Sequence, residues 1–439
     1  MTRTTIRSLA AALLLGVGGF AAAGPVDGFV RVKGTGFELA GRPYRFAGVN
    51  LWYAAYLGSS RSYGDRSRLV RELDQLQQLG VTNVRILGAS EPTPYSPLTP
   101  VLQPKPEVYN EELLRGLDYA LDQIRRHGMK AVIFLHNQWE WSGGMATYVA
   151  WATGAERPRA DKWPDTLIYD TRFYGLPQAR SWHRAYIRML LTRTNTFTGR
   201  PYSADPAIMA WELSNEPRVS PDAADAAQVA SLLDWIGETS RLIRSLAPEQ
   251  LITTGSEGLI ATNNSAEIYR QEHVPASVDY LTLHIWPSNW GWYLPAKSAE
   301  TFPTVLTRTR EYLARHIEVA TRLGKPLVLE EFGLQRDGAL YMPGTPTTTR
   351  DAYLQDIFGQ FLANVRAGSP LAGLNVWTWS GEGVPVVAAG AIWEEGTPFT
   401  GDNGIEKQGL NSIYGTDTST LALLRELNGQ LAQPPPQRP

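Results

Sequence analysis

Short apolar runs recur along this chain, each ending in polar or aromatic residues, with amphipathic stretches between them. The runs are 44–52 (YRFAGVNLW), 81–87 (VTNVRIL), 130–137 (KAVIFLHN), 207–216 (AIMAWELSNE), 250–258 (QLITTGSEG), 278–286 (VDYLTLHIW), 325–333 (KPLVLEEFG) and 371–379 (LAGLNVWTW). Such short apolar runs read as buried strands. Between them, RSRLVRELDQLQQLG, EELLRGLDYALDQIRRHG, ARSWHRAYIRMLLTR, AQVASLLDWIGETSRLIRSL and RDAYLQDIFGQFLANVRAG carry the helical period, and several stop at Gly or Pro after a basic last turn. SAEIYRQEH offers only a short helix for the fifth connection. From Phe29 the chain alternates and turns, which predicts a small hairpin ahead of the first strand.

Eight β–α units in order predict an α/β chain forming a (β/α)8 TIM barrel, a single domain with long loops at the C-terminal face of the strands. The rival, a doubly wound open sheet, normally shows a Gly-rich phosphate turn after its first strand, and GVNLWYAAY is not one. Residues 138–175, after the third run, carry no clear helical pattern and read as a long, aromatic, functional loop.

The ends read differently. Arg3 and Arg7, a short apolar stretch and Ala21-Ala22-Ala23 predict a signal peptide over 1–23. The catalytic domain is expected over 24–432 and a Pro-rich disordered tail over 433–439. A net charge of −2 points away from nucleic acid and anionic membranes as partners, and a monomer is expected. With no cysteine and six scattered histidines lacking an H-E-x-x-H pattern, neither disulfides nor a metal or other cofactor is expected.

In such a barrel the active site lies where the strands end. Those ends carry Asn50 and Trp52, Arg85, His136 and Asn137, Asn215 and Glu216, Glu257, His284 and Trp286, Glu330 and Glu331, and Trp377 and Trp379. The loop after the sixth run adds Trp290, Trp292 and Tyr293. Aromatic platforms among carboxylates and amides suit sugars, which offer C–H faces to stack and hydroxyls to hydrogen-bond. Two carboxylates at one mouth suggest glycoside hydrolysis, where one protonates the leaving oxygen and the other attacks or activates water.

NEP at the fourth strand end and EFG at the seventh resemble glycoside hydrolase family five, a retaining (β/α)8 family. WELSNEPR, HIWPSNWGW, LEEFG and VWTWSGEG resemble its endo-β-1,4-mannanase subgroup, and the likeness runs from about Phe29 onward. The resemblance implies Glu216 as acid/base and Glu331 as nucleophile. It implies that Asn215 bonds the 2-hydroxyl of the sugar at subsite −1, and that Arg85 and His284 keep the nucleophile ionised and oriented. His136 matches the family's third-strand His, and Trp377 matches the platform under the sugar, with Trp379 two residues on as the alternative. Trp286 stands where the wider family usually has a Tyr whose hydroxyl contacts the nucleophile; an indole N–H donates but cannot accept.

Two choices rest on that resemblance. Neighbouring strand residues point to opposite faces, so only one of Glu330 and Glu331 is expected to face the site; both faces are apolar upstream, and E-F-G favours Glu331. Likewise N-E-P favours Glu216 over Glu212. Arg85 is expected to lower the pKa of Glu331, whose charge then raises that of Glu216. The implied function is a secreted, extracellular or periplasmic, retaining endo-β-1,4-mannanase acting on β-mannan polysaccharide or manno-oligosaccharides, galactomannan and glucomannan included. The alternatives are a cellulase-type β-1,4-glucanase on the same barrel and a non-catalytic carbohydrate-binding barrel protein.

Overall fold

The computed structural model describes residues 28–433 apart from 160, 161, 223, 224, 387 and 389. The expected signal peptide at 1–23 lies outside the described residues, as does the expected tail beyond Gln433.

Eight strands are parallel neighbours: β1 (Phe46–Asn50), β2 (Asn83–Leu87), β3 (Lys130–Phe134), β4 (Ile208–Glu212), β5 (Leu251–Thr253), β6 (Leu281–Ile285), β7 (Leu327–Phe332) and β8 (Leu371–Val376). Their hydrogen-bonded order is β5-β4-β3-β2-β1-β8-β7-β6. A parallel bridge between Thr253 and Tyr280 joins the two remaining edges, so the sheet closes into a TIM barrel. Every residue of the eight strands is buried, which is why the runs read as continuous apolar segments rather than alternating ones.

Eight helices follow the strands in turn: α1 (Arg66–Gln78), α2 (Glu111–Arg126), α3 (Pro177–Thr192), α4 (Ala226–Leu246), α5 (Ala266–His273), α6 (Ser298–Leu323), α7 (Thr348–Ala367) and α8 (Thr418–Leu431). Their starts are written locally. Asp65 accepts a hydrogen bond from the Arg68 N–H and Asn110 from that of Leu113, capping α1 and α2. In α2, Glu111 and Glu112 sit in the first turn and Arg125 and Arg126 in the last, matching the helix dipole. The predicted short helix of the fifth connection is α5, capped by Ser265.

The N-terminal hairpin is a three-stranded antiparallel sheet, Arg31–Lys33, Gly36–Leu39 and Arg42–Tyr44. Its Phe37 and Tyr44 pack with Phe46, Val132, Met209 and Tyr280 in a small core near the strand starts.

Two expectations need correction. The barrel strands are shorter than the apolar runs, so Asn215, Glu216, Glu257, Trp286 and Trp377 stand on loops just past the strand ends. Residues 138–175 are not helix-free: they contain helices Gly144–Thr153 and Asp165–Thr171. The first has no polar face to give a period, because residues 144–149 are all buried. Gly143 opens it at φ 93°, where a Cβ would lie 2.3 Å from the Glu91 carbonyl oxygen.

Candidate active site

The mouth of the barrel encloses about 650 Å³, lined by Trp139, Trp141, Trp163, Trp286, Trp290 and Trp377 together with Asn215, Glu216, Arg218, Glu257, Glu331 and Glu406. Its size is that of an ordinary ligand site.

Glu216 follows β4 at φ +51°, a left-handed conformation rare for a residue with a side chain. Its N–H donates to the Gly255 carbonyl at 2.9 Å. Three N–H groups meet its carboxylate: Trp139 Nε1 at 2.5 Å, His284 Nδ1 at 2.6 Å and Trp286 Nε1 at 3.3 Å. Burial raises its pKa, but the His284 hydrogen bond and charge, with help from Arg218 and Trp139, carry it down to about 2.

Glu331 lies across the mouth on β7. One carboxylate oxygen takes a hydrogen bond from Arg85 Nη1, and the other is 3.5 Å from His284 Nδ1. One donor or acceptor atom each from Glu216, His284 and Glu331 lies within 4.8 Å of the others. Burial holds the Glu331 carboxyl above its usual range despite His284 and Arg85. The expected directions are therefore reversed. Glu216 is the better-solvated anion because it collects three donors, while Arg85 divides its charge between Glu331 and Glu212.

Arg85, on β2, is wholly buried. It also donates to Asn50 Oδ1 at 3.0 Å and to Asn215 Oδ1 at 2.8 Å. The Asn215 amide N–H₂ donates to Asn137 Oδ1 at 3.1 Å, so contacts at both ends set its orientation.

Only one of Glu330 and Glu331 faces the site, as expected, but strict alternation along the strand does not set this. The β7–β6 register shifts between Leu329 and Glu331, a bulge that turns both carboxylates toward Arg85. Glu330 Oε2 is 4.0 Å from Arg85 Nε, and its Oε1 accepts from Tyr280 at 3.3 Å. Only Glu331 of the two lines the cavity; burial and the nearby Glu212 charge hold Glu330 well above the carboxylate range.

His136 is not brought to the cavity. Its ring lies among His183, Phe173 and Tyr148, with centroids 4.5, 4.6 and 4.8 Å away. Its link to the site is the backbone carbonyl, which accepts the Asn215 N–H at 2.9 Å. Trp286 contacts Glu216 rather than Glu331, as a pure donor must choose the carboxylate it can reach. Trp377 lines the cavity edge-on to Trp286, whereas Trp379 is fully buried. Trp52 is also buried, against Trp141 and Phe399, with its N–H on the Gly401 carbonyl. Trp290 reaches the cavity, Trp292 packs behind it, and Tyr293 is buried.

Sequence reasoning missed Trp139, Arg218 and Glu406. Arg218 pairs with Glu257 and lies over the Trp139 ring. Trp139 stands in the 138–175 segment, two residues past Asn137, and Arg218 ends WELSNEPR, two residues past Glu216. Glu406 lies thirty residues past Val376 in sequence, and no local signal marks it.

The family profile described as GH family 5 beta-mannosidase-like matches residues 27–435. A mannan endo-1,4-beta-mannosidase of Arabidopsis thaliana is 31% identical over 369 residues, 80% of this chain and 78% of the relative. The crystal structure of a glycoside hydrolase family 5 mannosidase from Rhizomucor miehei superposes with a TM-score of 0.83 at 32% identity, covering 92% of this chain and 97% of that one. A mutant of that mannosidase in complex with mannosyl-fructose gives 0.82 at 32% identity, covering 92% and 99%.

Proposed function

The chain belongs to glycoside hydrolase family 5 and is a glycoside hydrolase, and from that premise we propose that it cleaves internal β-1,4-mannosidic bonds with retention at the anomeric carbon. The observation that carries the retaining mechanism is that one carboxylate oxygen each from Glu216 and Glu331, with a ring nitrogen of His284, lies within 4.8 Å of the others. Retaining enzymes hold their carboxyl groups about 5–5.5 Å apart and inverting ones roughly 6.5–9.5 Å, to admit water.

In the proposed reaction Glu331 attacks the anomeric carbon while Glu216 gives its proton to the leaving oxygen. Glu216, now ionised, takes a proton from water, and the hydroxide displaces Glu331. The donor-rich setting of Glu216 favours that second state. For the first step Glu216 must carry the proton and Glu331 must be ionised, and His284 touches both. Asn215 and Trp377 line the cavity, and the proposed roles are to bind the 2-hydroxyl and to carry the sugar face. Enzymatic relatives across most of the chain set aside the non-catalytic alternative.

The substrate is proposed to be mannan, galactomannan or glucomannan, acted on by a secreted monomer cut near Gly24. Secreted protein that still began at Met1 would overturn the export reading. The substrate test is hydrolysis of β-1,4-mannan against carboxymethyl-cellulose. Equal or faster turnover of the cellulose derivative moves the assignment to the glucanase. A second reading, release of single mannose units from chain ends, is favoured by the likeness to the mannosidase. Products of mannohexaose decide: di- and trisaccharides mark internal cleavage, and mannose alone marks the second reading.

A further inference from the structure

We propose that Glu212 is a positioning residue for this reaction: by gripping Arg85 it sets where Glu331 and Asn215 point. The inference rests on the double-displacement reading above.

Glu212 closes β4 and is wholly buried. Its two oxygens accept Nε of Arg85 at 2.7 Å and Nη2 at 2.6 Å, the parallel fork that fixes a guanidinium in one plane. A guanidinium has five N–H bonds. The remaining three go to Asn215 Oδ1 from Nη2, and to Asn50 Oδ1 and Glu331 from Nη1. All five are matched, and the two groups of the proposed chemistry hang on the edge that Glu212 leaves free. The backbone makes room for this arrangement: at Gly255, φ +76°, a Cβ would lie 2.3 Å from Glu212 Oε1.

A rival acceptor stands beside the same edge. Glu330 Oε2 has no hydrogen-bond partner among the described residues and is 4.0 Å from Arg85 Nε. Without Glu212, the guanidinium is free to turn toward Glu330 and leave Glu331. The ionisable groups facing this cluster are Glu216, His284, Glu330, Glu331, Glu406 and Tyr280.

The test compares Glu212→Gln, Glu212→Asp and Arg85→Lys, alone and combined, on an aryl β-mannoside. Glu212→Gln presents an amide N–H₂ to an N–H donor, so kcat is expected to fall roughly 10- to 100-fold with KM changed less than about 3-fold. In the Arg85→Lys background the same substitution should cost far less, because its effect runs through Arg85. A carbon-13 carboxyl titration, assigned with Glu331→Gln, should show Glu331 titrating at higher pH in Glu212→Gln, because losing the guanidinium contact outweighs the lowering that removal of the Glu212 charge would give by itself. Should Glu212→Gln not fold, Glu212→Asp, too short to span both nitrogens, is expected to move both readouts the same way. Unchanged kcat per folded molecule, full additivity with Arg85→Lys, or a Glu331 titration that is unmoved or lowered overturns the proposal. If the wild type turns over no β-mannoside, the functional reading fails, and the titration still decides this one.

Discussion

His284 Nδ1 lies 2.6 Å from Glu216 and 3.5 Å from Glu331, so one ring nitrogen bridges the two carboxylates and favours the first. This asymmetry is the main specific reason that Glu216 is held down to about 2. His284→Ala should therefore raise the Glu216 titration toward the ordinary carboxylate range of about 4.3. Carboxyl NMR reads this directly. A value still near 2 would show that Arg218 and the Trp139 N–H hold it without His284.

Glu216→Ala should lose about 10²–10⁴-fold in activity, most with poor leaving groups and least with activated aryl mannosides. Azide should restore its second step, because a small anion needs no general base. Glu331→Ala should lose at least as much with every leaving group, and any azide product should be inverted. Glu330→Gln, outside the cavity lining, should retain far more activity than Glu331→Gln. An inactive Glu330→Gln beside an active Glu331→Gln would reassign the nucleophile.

The two tryptophans after β8 should separate function from stability. Trp377→Ala removes a cavity wall, so it should weaken kcat/KM, and because Trp377 is itself buried it should lower the melting temperature too. Trp379→Ala empties a wholly buried site and should cost about 3–5 kcal/mol of stability. Thermal unfolding alongside kinetics distinguishes the two: per folded molecule Trp379→Ala should lose far less kcat/KM than Trp377→Ala, and an equal loss would contradict the placing of Trp377 alone at the cavity wall.

Glu91 makes stability depend on pH. Burial lifts its carboxyl to about 8, above the roughly 4.3 of an unfolded chain. A folded value above the unfolded one means that the stabilising contribution is complete below about 4.3 and lost as pH rises through about 8. Glu91 Oε2 accepts the Gly144 N–H at 2.9 Å, a bond that favours the ionised form and offsets part of the effect of burial. Glu91→Gln should flatten this dependence, melting above wild type at pH 9. Parallel melting curves from pH 4 to 9 would show that Glu91 is not the titrating group.

The sequence by itself determined the barrel, its strand order and the meeting of Glu216 and Glu331 at one mouth. Helical period, apolar runs, caps and the N-E-P and E-F-G motifs are local, and the strand ends of a (β/α)8 barrel share one mouth whatever the loops do. Direction and charge needed the tertiary structure. Alternation along β7 depends on its register against β6, and the bulge at Leu329–Glu331 turns Glu330 inward as well. The His136 ring followed its aromatic neighbours away from the cavity, and Glu406 came from a loop distant in sequence. The ionisation order of Glu216 and Glu331 is set by every donor and charge around the mouth at once. No spacing along the chain encodes that sum, because it forms only when β2, β4, β6 and β7 bring their residues together.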